Sequence, residues 1–240
     1  MPPTASGVSV AEGLNLLEHF NLREMRWGSV DSLHVIAEAM KIVTSDRRLI
    51  GGAPQWQTPA IGLASKEFAA ERVKLIKMDS SLTAETLPNG DPYPFESQNT
   101  THYSVADAHG NAVSNTYTLS NSYGAHVAPV GTGILLNNSL DNFAWGSTDD
   151  AAKANFPAPG KRLGSTITPM IVFDDEKPWL VTGTPGAAYI IPTMVQLVVN
   201  VIDHRLNIAE AAMRPRIQQT SASTPLEMEG GFSPEIEQLL

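Results

Sequence analysis

The hydrophobic pattern changes its period near the middle of this chain, and that change restricts the folds open to it. Apolar residues recur at helical spacing over residues 8–20 and 31–43, and a further helix is predicted after Ser65, a suitable N-cap. Residues 79–99 are polar and interrupted by proline, which is typical of an exposed loop. From residue 101 the spacing becomes two, which predicts strands. Helices followed by paired strands predict an α+β fold.

The second half of the chain contains a predicted hairpin, further strands and two helices. The hairpin joins strands 101–106 and 112–119 through a turn rich in Asp, Asn and Gly. Helix 187–202 is apolar on all sides and is expected to be buried. The remaining predicted elements are strands 133–137, 167–173 and 179–183 and helix 207–213.

Composition excludes several classes of protein. A formal net charge of -9 argues against a nucleic-acid surface, which needs clustered Lys and Arg. The chain has no cysteine, so thiol catalysis, disulfides and cysteine-based zinc sites are excluded, and its six histidines show no metal spacing. No run approaches the roughly 20 apolar residues of a membrane-spanning helix. We therefore expect a small-molecule substrate, without a metal, a cofactor or a membrane span.

Thr100 lies where the polar stretch meets the first predicted strand, directly after Asn99. A hydroxyl nucleophile needs a base, and a threonine released at a chain terminus carries one in its own α-amino group. Attack of the Thr100 hydroxyl on the Asn99 carbonyl would give an ester by an N-to-O acyl shift, which water then cleaves. Strand propensity alone also favours threonine at this place. Both interpretations remain open on this segment alone.

Short motifs occur in a fixed order along almost the whole chain. They are Met1-Pro2-Pro3 with Ser6-Gly7, Thr100-Thr101-His102-Tyr103-Ser104-Val105, Gly110-Asn111-Ala112-Val113, Thr116-Tyr117-Thr118-Leu119, Gly133-Ile134-Leu135-Leu136-Asn137-Asn138, Lys161-Arg162, Thr182-Gly183-Thr184-Pro185-Gly186 and Gly231-Phe232-Ser233-Pro234. In this order they resemble the γ-glutamyltranspeptidase family.

The resemblance implies an incomplete Ntn-hydrolase fold, an αββα four-layer sandwich, that is cut between Asn99 and Thr100. Residues 1–99 would be the C-terminal part of a large subunit, and residues 100–240 the catalytic part of a small subunit truncated at its C-terminus. The implied activity is transfer or hydrolysis of a γ-glutamyl, glutathione-type acyl group through an acyl-Thr100 ester. An amino acid or peptide would act as acceptor, the remainder of the large subunit as partner, and the location would be periplasmic or secreted.

The resemblance also assigns roles to single residues. Thr100 would be the nucleophile, Thr118 would orient it, and the amides of Gly186 and Ala187 would stabilise an oxyanion, although the family has a second glycine where Ala187 stands. His102 is expected to be structural. The residues that would bind substrate are Ser120, Asn121, Ser139, Asn142, Ser165 and Thr166.

Two of these positions depart from the family pattern. Asn142 stands where the family has the aspartate that pairs with the substrate's α-ammonium, and Ser120 stands where asparagine is usual. Because a neutral contact is weaker than a charge-assisted one, a second hypothesis is a glutaryl amidase, as in the related cephalosporin acylases. The family's substrate-binding arginine belongs to an earlier segment. A catalytically inactive fragment with a structural or binding role is therefore a third hypothesis.

Overall fold

Helices come first along the chain, paired strands follow, and helices return near the end. The computed structural model describes residues 5–50, 59–83, 87, 100–146, 154–219 and 221–240. The helices are α1 (Gly7–Leu17), α2 (Leu22–Met25), α3 (Val30–Asp46), α4 (Ala60–Leu63), α5 (Lys66–Arg72), α6 (Ile190–Ile202), α7 (Ile208–Met213) and α8 (Pro234–Leu239). The strands are β1 (Thr100–Ala106), β2 (Ala112–Thr118), β3 (Met170–Asp174), β4 (Lys177–Thr182), β5 (Ile217–Gln218) and β6 (Glu227–Met228). The α+β class is thus confirmed.

The chain divides into two compact units. Unit 1 is formed by Met1–Val8, Arg48–Pro59 and Pro92–Ile191, and unit 2 by Ser9–Arg47, Ala60–Asp91 and Pro192–Leu240. The predicted helices are confirmed, with boundaries moved by a few residues. Within the described ranges, none of the helices is both long enough and apolar enough to cross a membrane.

Unit 2 has a helical core. Ser65 caps α5 as predicted, since its Oγ accepts from the Phe68 amide at 3.1 Å. Gly13 permits close packing of α1, because a Cβ there would lie 3.0 Å from Met40 Cε of α3 and 3.2 Å from Val195 Cγ2 of α6. The most deeply buried apolar side chains of this unit include Val10, Leu16, Val35, Ile42, Met194, Val195 and Val199.

Two charged clusters lie inside unit 2. Lys41 is paired with Glu38 at 2.8 Å, and both side chains are buried. Lys41 Nζ also donates to Leu82 O at 3.0 Å, and the Leu82 amide donates to Glu38 Oε2 at 2.7 Å. The pair thus fixes the backbone of Leu82, which lies within the polar stretch before Thr100.

The second cluster contains Glu12 of α1, which is only 1% exposed. Arg72 donates to both carboxylate oxygens of Asp46 at 2.7 Å. Neither carboxyl oxygen of Glu12 has a hydrogen-bond partner within the part of the chain that the structure describes. Burial, followed by the nearby Asp46 carboxylate, raises the pKa of Glu12 to about 10. Glu12 is therefore protonated at neutral pH.

Unit 1 contains two antiparallel hairpins. In the first, β1 pairs with β2 in continuous register from Thr100 opposite Thr118 to Ala106 opposite Ala112. In the second, β3 pairs with β4 through Asp175 and Glu176, whose φ angles are 43° and 65°. Positive φ at both central residues suits a two-residue hairpin turn that follows the natural strand twist. These hairpins confirm the predicted strand pairs, with β3 and β4 beginning at residues 170 and 177.

The predicted strand at 133–137 is wrong. Its residues form an irregular loop, although the Leu136 amide donates to Val127 O at 3.0 Å. Glycines bend the backbone before Val127 and between Val127 and Leu136, because Gly124, Gly131 and Gly133 have φ angles of 56°, 81° and 65°. Extended pairing cannot continue through left-handed residues. The apolar run Ile134-Leu135-Leu136 therefore lies exposed.

Candidate active site

A pair of threonine hydroxyls lies at the end of the first hairpin. Thr100 begins β1 and faces Thr118, the last residue of β2, and Thr100 Oγ1 donates to Thr118 Oγ1 at 3.1 Å. The amide of Ser120 donates to the same Thr118 oxygen at 2.9 Å. A φ of 72° at Ser120 turns the chain out of the strand. The Thr100 hydroxyl is thus directed at Thr118 Oγ1, and the role of Thr118 in orienting a nucleophile remains a prediction. We call Thr100 and Thr118 the threonine pair.

The chain after β4 turns into helix α6 through Gly186 and Ala187. Gly186 has a φ of 131°, and Ala187 a φ of 52° in the left-handed region that disfavours a side chain. A 3₁₀ turn, Ala187–Tyr189, then leads into α6. Amides at a helix start carry partial positive charge and favour an anion. The backbone that Ala187 adopts is therefore one that glycine, the family residue, would accept more readily.

Two proposed substrate-binding residues that depart from the family pattern, Ser120 and Asn142, contact each other. Ser120 Oγ donates to Asn142 Oδ1 at 3.3 Å. The neighbouring carboxylate of Asp141 accepts from Asn138 Nδ2 at 2.8 Å. Ser120 and Asn142, which we call the head-group pair, therefore meet as two neutral side chains where the family has a charged one.

Asparagine side chains hold the loop that carries the head-group pair. Asn138 Oδ1 accepts from the Asn121 amide at 2.9 Å, and Asn137 Oδ1 accepts from the Ser139 amide at 3.0 Å. The backbone amides of Asn121 and Ser139 are thus held by Asn138 and Asn137, and the predicted contact of both residues with substrate remains a prediction.

Asn155 was missed by the sequence analysis. Its Nδ2 donates to Asn142 O at 2.6 Å, and its Oδ1 accepts from the Gly164 amide at 2.8 Å. It thereby links the head-group pair to the segment containing Ser165 and Thr166. No pattern in the sequence distinguishes this asparagine, because its role depends on contacts with two separate segments.

Ser165 and Thr166 already take part in local contacts. Ser165 Oγ accepts from the Ile167 amide at 3.3 Å, and Ser165 O accepts from Ser6 Oγ at 2.7 Å. Thr166 is buried, and its carbonyl accepts from Thr168 Oγ1 at 2.9 Å. Their proposed contact with a substrate carboxylate remains a prediction. Among the described residues, no group of three or more His, Asp or Glu is arranged to hold a metal ion.

This chain is similar in sequence to known proteins. The family model for Gamma-glutamyltranspeptidase matches residues 1–240, and the chain belongs to that family. The glutathione hydrolase proenzyme of Escherichia coli K12 is 38% identical over 100% of this chain and 42% of its own length. The Acylase ACY 1 proenzyme of Pseudomonas strain V22 is 37% identical over 94% of this chain and 39% of its own.

A solved structure extends the likeness to the fold. The cephalosporin acylase of Bacillus halodurans aligns with a TM-score of 0.84 at 29% identity, over 99% of this chain and 41% of that one. The chain thus spans about two fifths of the length of these relatives. Glutathione hydrolases and acylases thus match largely the same part of this chain.

Proposed function

We propose that the protein containing this chain is an amidohydrolase that cleaves itself before Thr100 and then transfers or hydrolyses a γ-glutamyl-type acyl group. The observation that carries the proposal is the threonine pair, in which the hydroxyl of Thr100 is held by Thr118 at the first residue of a strand. A threonine that merely suits a strand needs no such partner. Family membership supports the same reaction.

The proposed maturation uses the Thr100 oxygen. This oxygen attacks the carbonyl carbon of Asn99, the bond from that carbon to the Thr100 nitrogen breaks, and the nitrogen takes up the hydroxyl proton. Water then cleaves the resulting ester. The products are a carboxylate at Asn99 and a free α-amine at Thr100.

Substrate cleavage would use the same oxygen with the new amine as base. The amine accepts the proton of the Thr100 hydroxyl while the oxygen attacks the substrate amide. The amides of Gly186 and Ala187 stabilise the oxyanion, and the leaving amine takes up the proton. Water, or the amine of an acceptor, then attacks the acyl-Thr100 ester and releases the acyl group.

The intact mass of the purified product of the complete gene tests this proposal. We expect two chains, with the second beginning at Thr100, and a single uncut chain for Thr100→Ala. Thr101→Ala is a matched control, because this neighbouring threonine lies on the other face of β1 and is exposed. A folded wild-type protein that stays uncut would favour a non-catalytic role instead.

A second candidate function is hydrolysis of glutaryl-type amides, which lack the α-ammonium. The head-group pair favours it, because two neutral side chains meet where a carboxylate would pair with that ammonium. Comparing kcat/KM for γ-glutamyl and glutaryl anilides separates the two. Equal or higher kcat/KM for the glutaryl compound would support the second candidate, and a clear preference for γ-glutamyl would rule it out.

The proposal extends to the assembly around this chain. We propose that the strands belong to an αββα four-layer sandwich, supported by the likeness to the Bacillus halodurans acylase. Residues 1–99 would belong to a large subunit whose remainder is the partner of this chain, and residues 100–240 to the small subunit. An exported location is part of the proposal, and a chain without cysteine is compatible with it.

A further inference from the structure

His102 lies on the same face of β1 as the proposed nucleophile. Side chains alternate across a strand, so Thr100 and His102, two residues apart, share one face. Thr116 is the cross-strand neighbour of His102, and His102 Nδ1 lies 2.8 Å from Thr116 Oγ1. This pair is thus the next same-face pair after the threonine pair.

Hydrogen bonds decide which nitrogen of the imidazole carries the proton. The carbonyl of Val181 can only accept, so Ser104 Oγ, 3.1 Å away, donates to it. Ser104 Oγ then accepts from His102 Nε2 at 3.0 Å, which places the ring proton on Nε2. Nδ1 is left to accept from the Thr116 hydroxyl. A directed chain of hydrogen bonds therefore runs from β2 through His102 on β1 to β4.

Gly183, the first residue after β4, lies against the ring of His102. A Cβ at this position would be 3.0 Å from the ring Cγ and closer still to Nδ1 and Cε1. The contact therefore requires a residue without a side chain. Three residues further on, the same segment reaches Gly186 and Ala187. The imidazole thus fills the space between β1 and the chain that carries the proposed oxyanion amides.

We propose that His102 is a positioning residue that sets the spacing between the Thr100 hydroxyl and the amides of Gly186 and Ala187. The ring acts as a spacer of fixed thickness against Gly183, and its two hydrogen bonds fix its orientation. This inference rests on the proposed function, in which hydroxyl and amides act on one carbonyl group. A misplacement of about 1 Å between such groups costs on the order of 100-fold in rate.

The protonation state of the ring is consistent with this role. Burial lowers the pKa of His102 below its ordinary value of 6.5, which keeps the imidazole neutral at neutral pH. The groups that the structure places against the ring, Thr116, Ser104 and Gly183, are uncharged. A neutral ring retains the acceptor on Nδ1 that the hydrogen-bond chain needs.

Kinetics of the full-length protein test the inference. We expect His102→Ala to lower both the rate of self-cleavage and kcat by about 100-fold, with KM changed by less than about threefold. His102→Gln, which retains a polar group able to bond Ser104, should recover at least about tenfold of that loss. A wild-type kcat in His102→Ala would overturn the inference.

A matched control separates positioning from general destabilisation. Ile42→Ala creates a cavity in α3, in the core of unit 2. Assays are run at temperatures where both variants are folded. If Ile42→Ala lowers kcat as much as His102→Ala does, the effect of His102 is general and the inference is wrong.

A size exchange tests the contact itself. Gly183→Ala should lower the melting temperature and slow self-cleavage, because its methyl group collides with the ring. The same substitution added to His102→Ala should cause no further loss of either, since the ring is gone. Equal losses in both backgrounds would overturn the inference. Melting temperatures can be measured on cut or uncut protein, so an uncut wild type would refute the proposed function and leave this steric test readable.

Discussion

The two ends of the candidate site differ in how closely they follow the family pattern. At the nucleophile end, the threonine pair keeps both hydroxyls and a direct contact at 3.1 Å. At the head-group end, both departing residues, Ser120 and Asn142, occur together and bond to each other at 3.3 Å. The residues proposed to break the amide bond are thus retained, whereas the residues proposed to select the acyl group depart from the family pattern.

The largest effect is expected from removing the Thr118 hydroxyl at the nucleophile end. Thr118→Val keeps the shape of the side chain but removes the oxygen that accepts from Thr100 and from the Ser120 amide. We expect self-cleavage and kcat to fall by about 100-fold or more, the magnitude typical of losing an oriented catalytic contact. The time course of chain cutting, followed by mass, measures this. Cutting at the wild-type rate would show that Thr118 does not orient Thr100.

A smaller effect is expected from restoring the charge at the head-group end. Asn142→Asp should raise the ratio of kcat/KM for γ-glutamyl over glutaryl anilide by about tenfold, because the ionic contact adds roughly 1.4 kcal/mol to binding of the ammonium. Self-cleavage should proceed as in wild type. Asp141→Asn serves as the control, since this neighbouring carboxylate contacts Asn138. An unchanged ratio in Asn142→Asp would remove the head-group pair from substrate choice.

Only a slight effect is expected from replacing Ala187 by glycine, the residue that the family has at this position. Ala187 has a φ of 52°, and glycine adopts this conformation without strain. Ala187→Gly keeps the amide, so we expect kcat within about threefold of wild type and stability changed by less than about 1 kcal/mol. Steady-state kinetics and thermal melting measure these quantities. A large gain in kcat would mean that alanine had displaced the amide.

A change in the core of unit 2 should alter stability alone. The folded protein holds the Glu12 proton up to a pKa of about 10, whereas an unfolded chain releases it near 4.5. The protonated Glu12 carboxyl therefore contributes fully to the free energy of unfolding below pH 4.5. This contribution is lost as the pH rises toward 10, at no more than about 1.4 kcal/mol per pH unit.

Glu12→Gln cannot ionise, so denaturant unfolding between pH 5 and 9 should show a flatter dependence on pH than wild type. The charged neighbours in this cluster, Asp46 and Arg72, stay in place. Both the cleavage rate and the anilide ratio should remain unchanged. The same slope in both proteins would show that Glu12 is ionised when folded.

Hydrophobic periodicity predicted the helices and strands whose local sequence pattern agrees with their packing. The alternation from Thr101 onward predicted the β1–β2 hairpin, and the apolar face of residues 31–43 predicted α3. The prediction of a strand at 133–137 is wrong because left-handed glycines such as Gly133 directly precede the apolar run, and a pattern of hydrophobicity does not record φ. Sequence can suggest where a strand is possible but not whether its backbone stays extended.

The contacts within the site were harder to predict from the sequence. The residues of the threonine pair are 18 positions apart, and their contact follows from the register of the hairpin. The contact of Ser120 with Asn142 spans 22 positions and depends on a left-handed turn at Ser120. The bridge made by Asn155 and the contact of Gly183 with His102 join segments that no local pattern connects. The resemblance supplied candidate residues, whereas packing decided which of them meet.

The division into two units also bears on what a cut before Thr100 would release. Each unit contains chain from both sides of that bond. In unit 1, Ser6 donates to the carbonyl of Ser165, and in unit 2, Gly13 packs against Val195. Within these residues, each product would therefore carry only part of each packed unit. If the cut occurs, we expect the contacts within both units to hold the two products together.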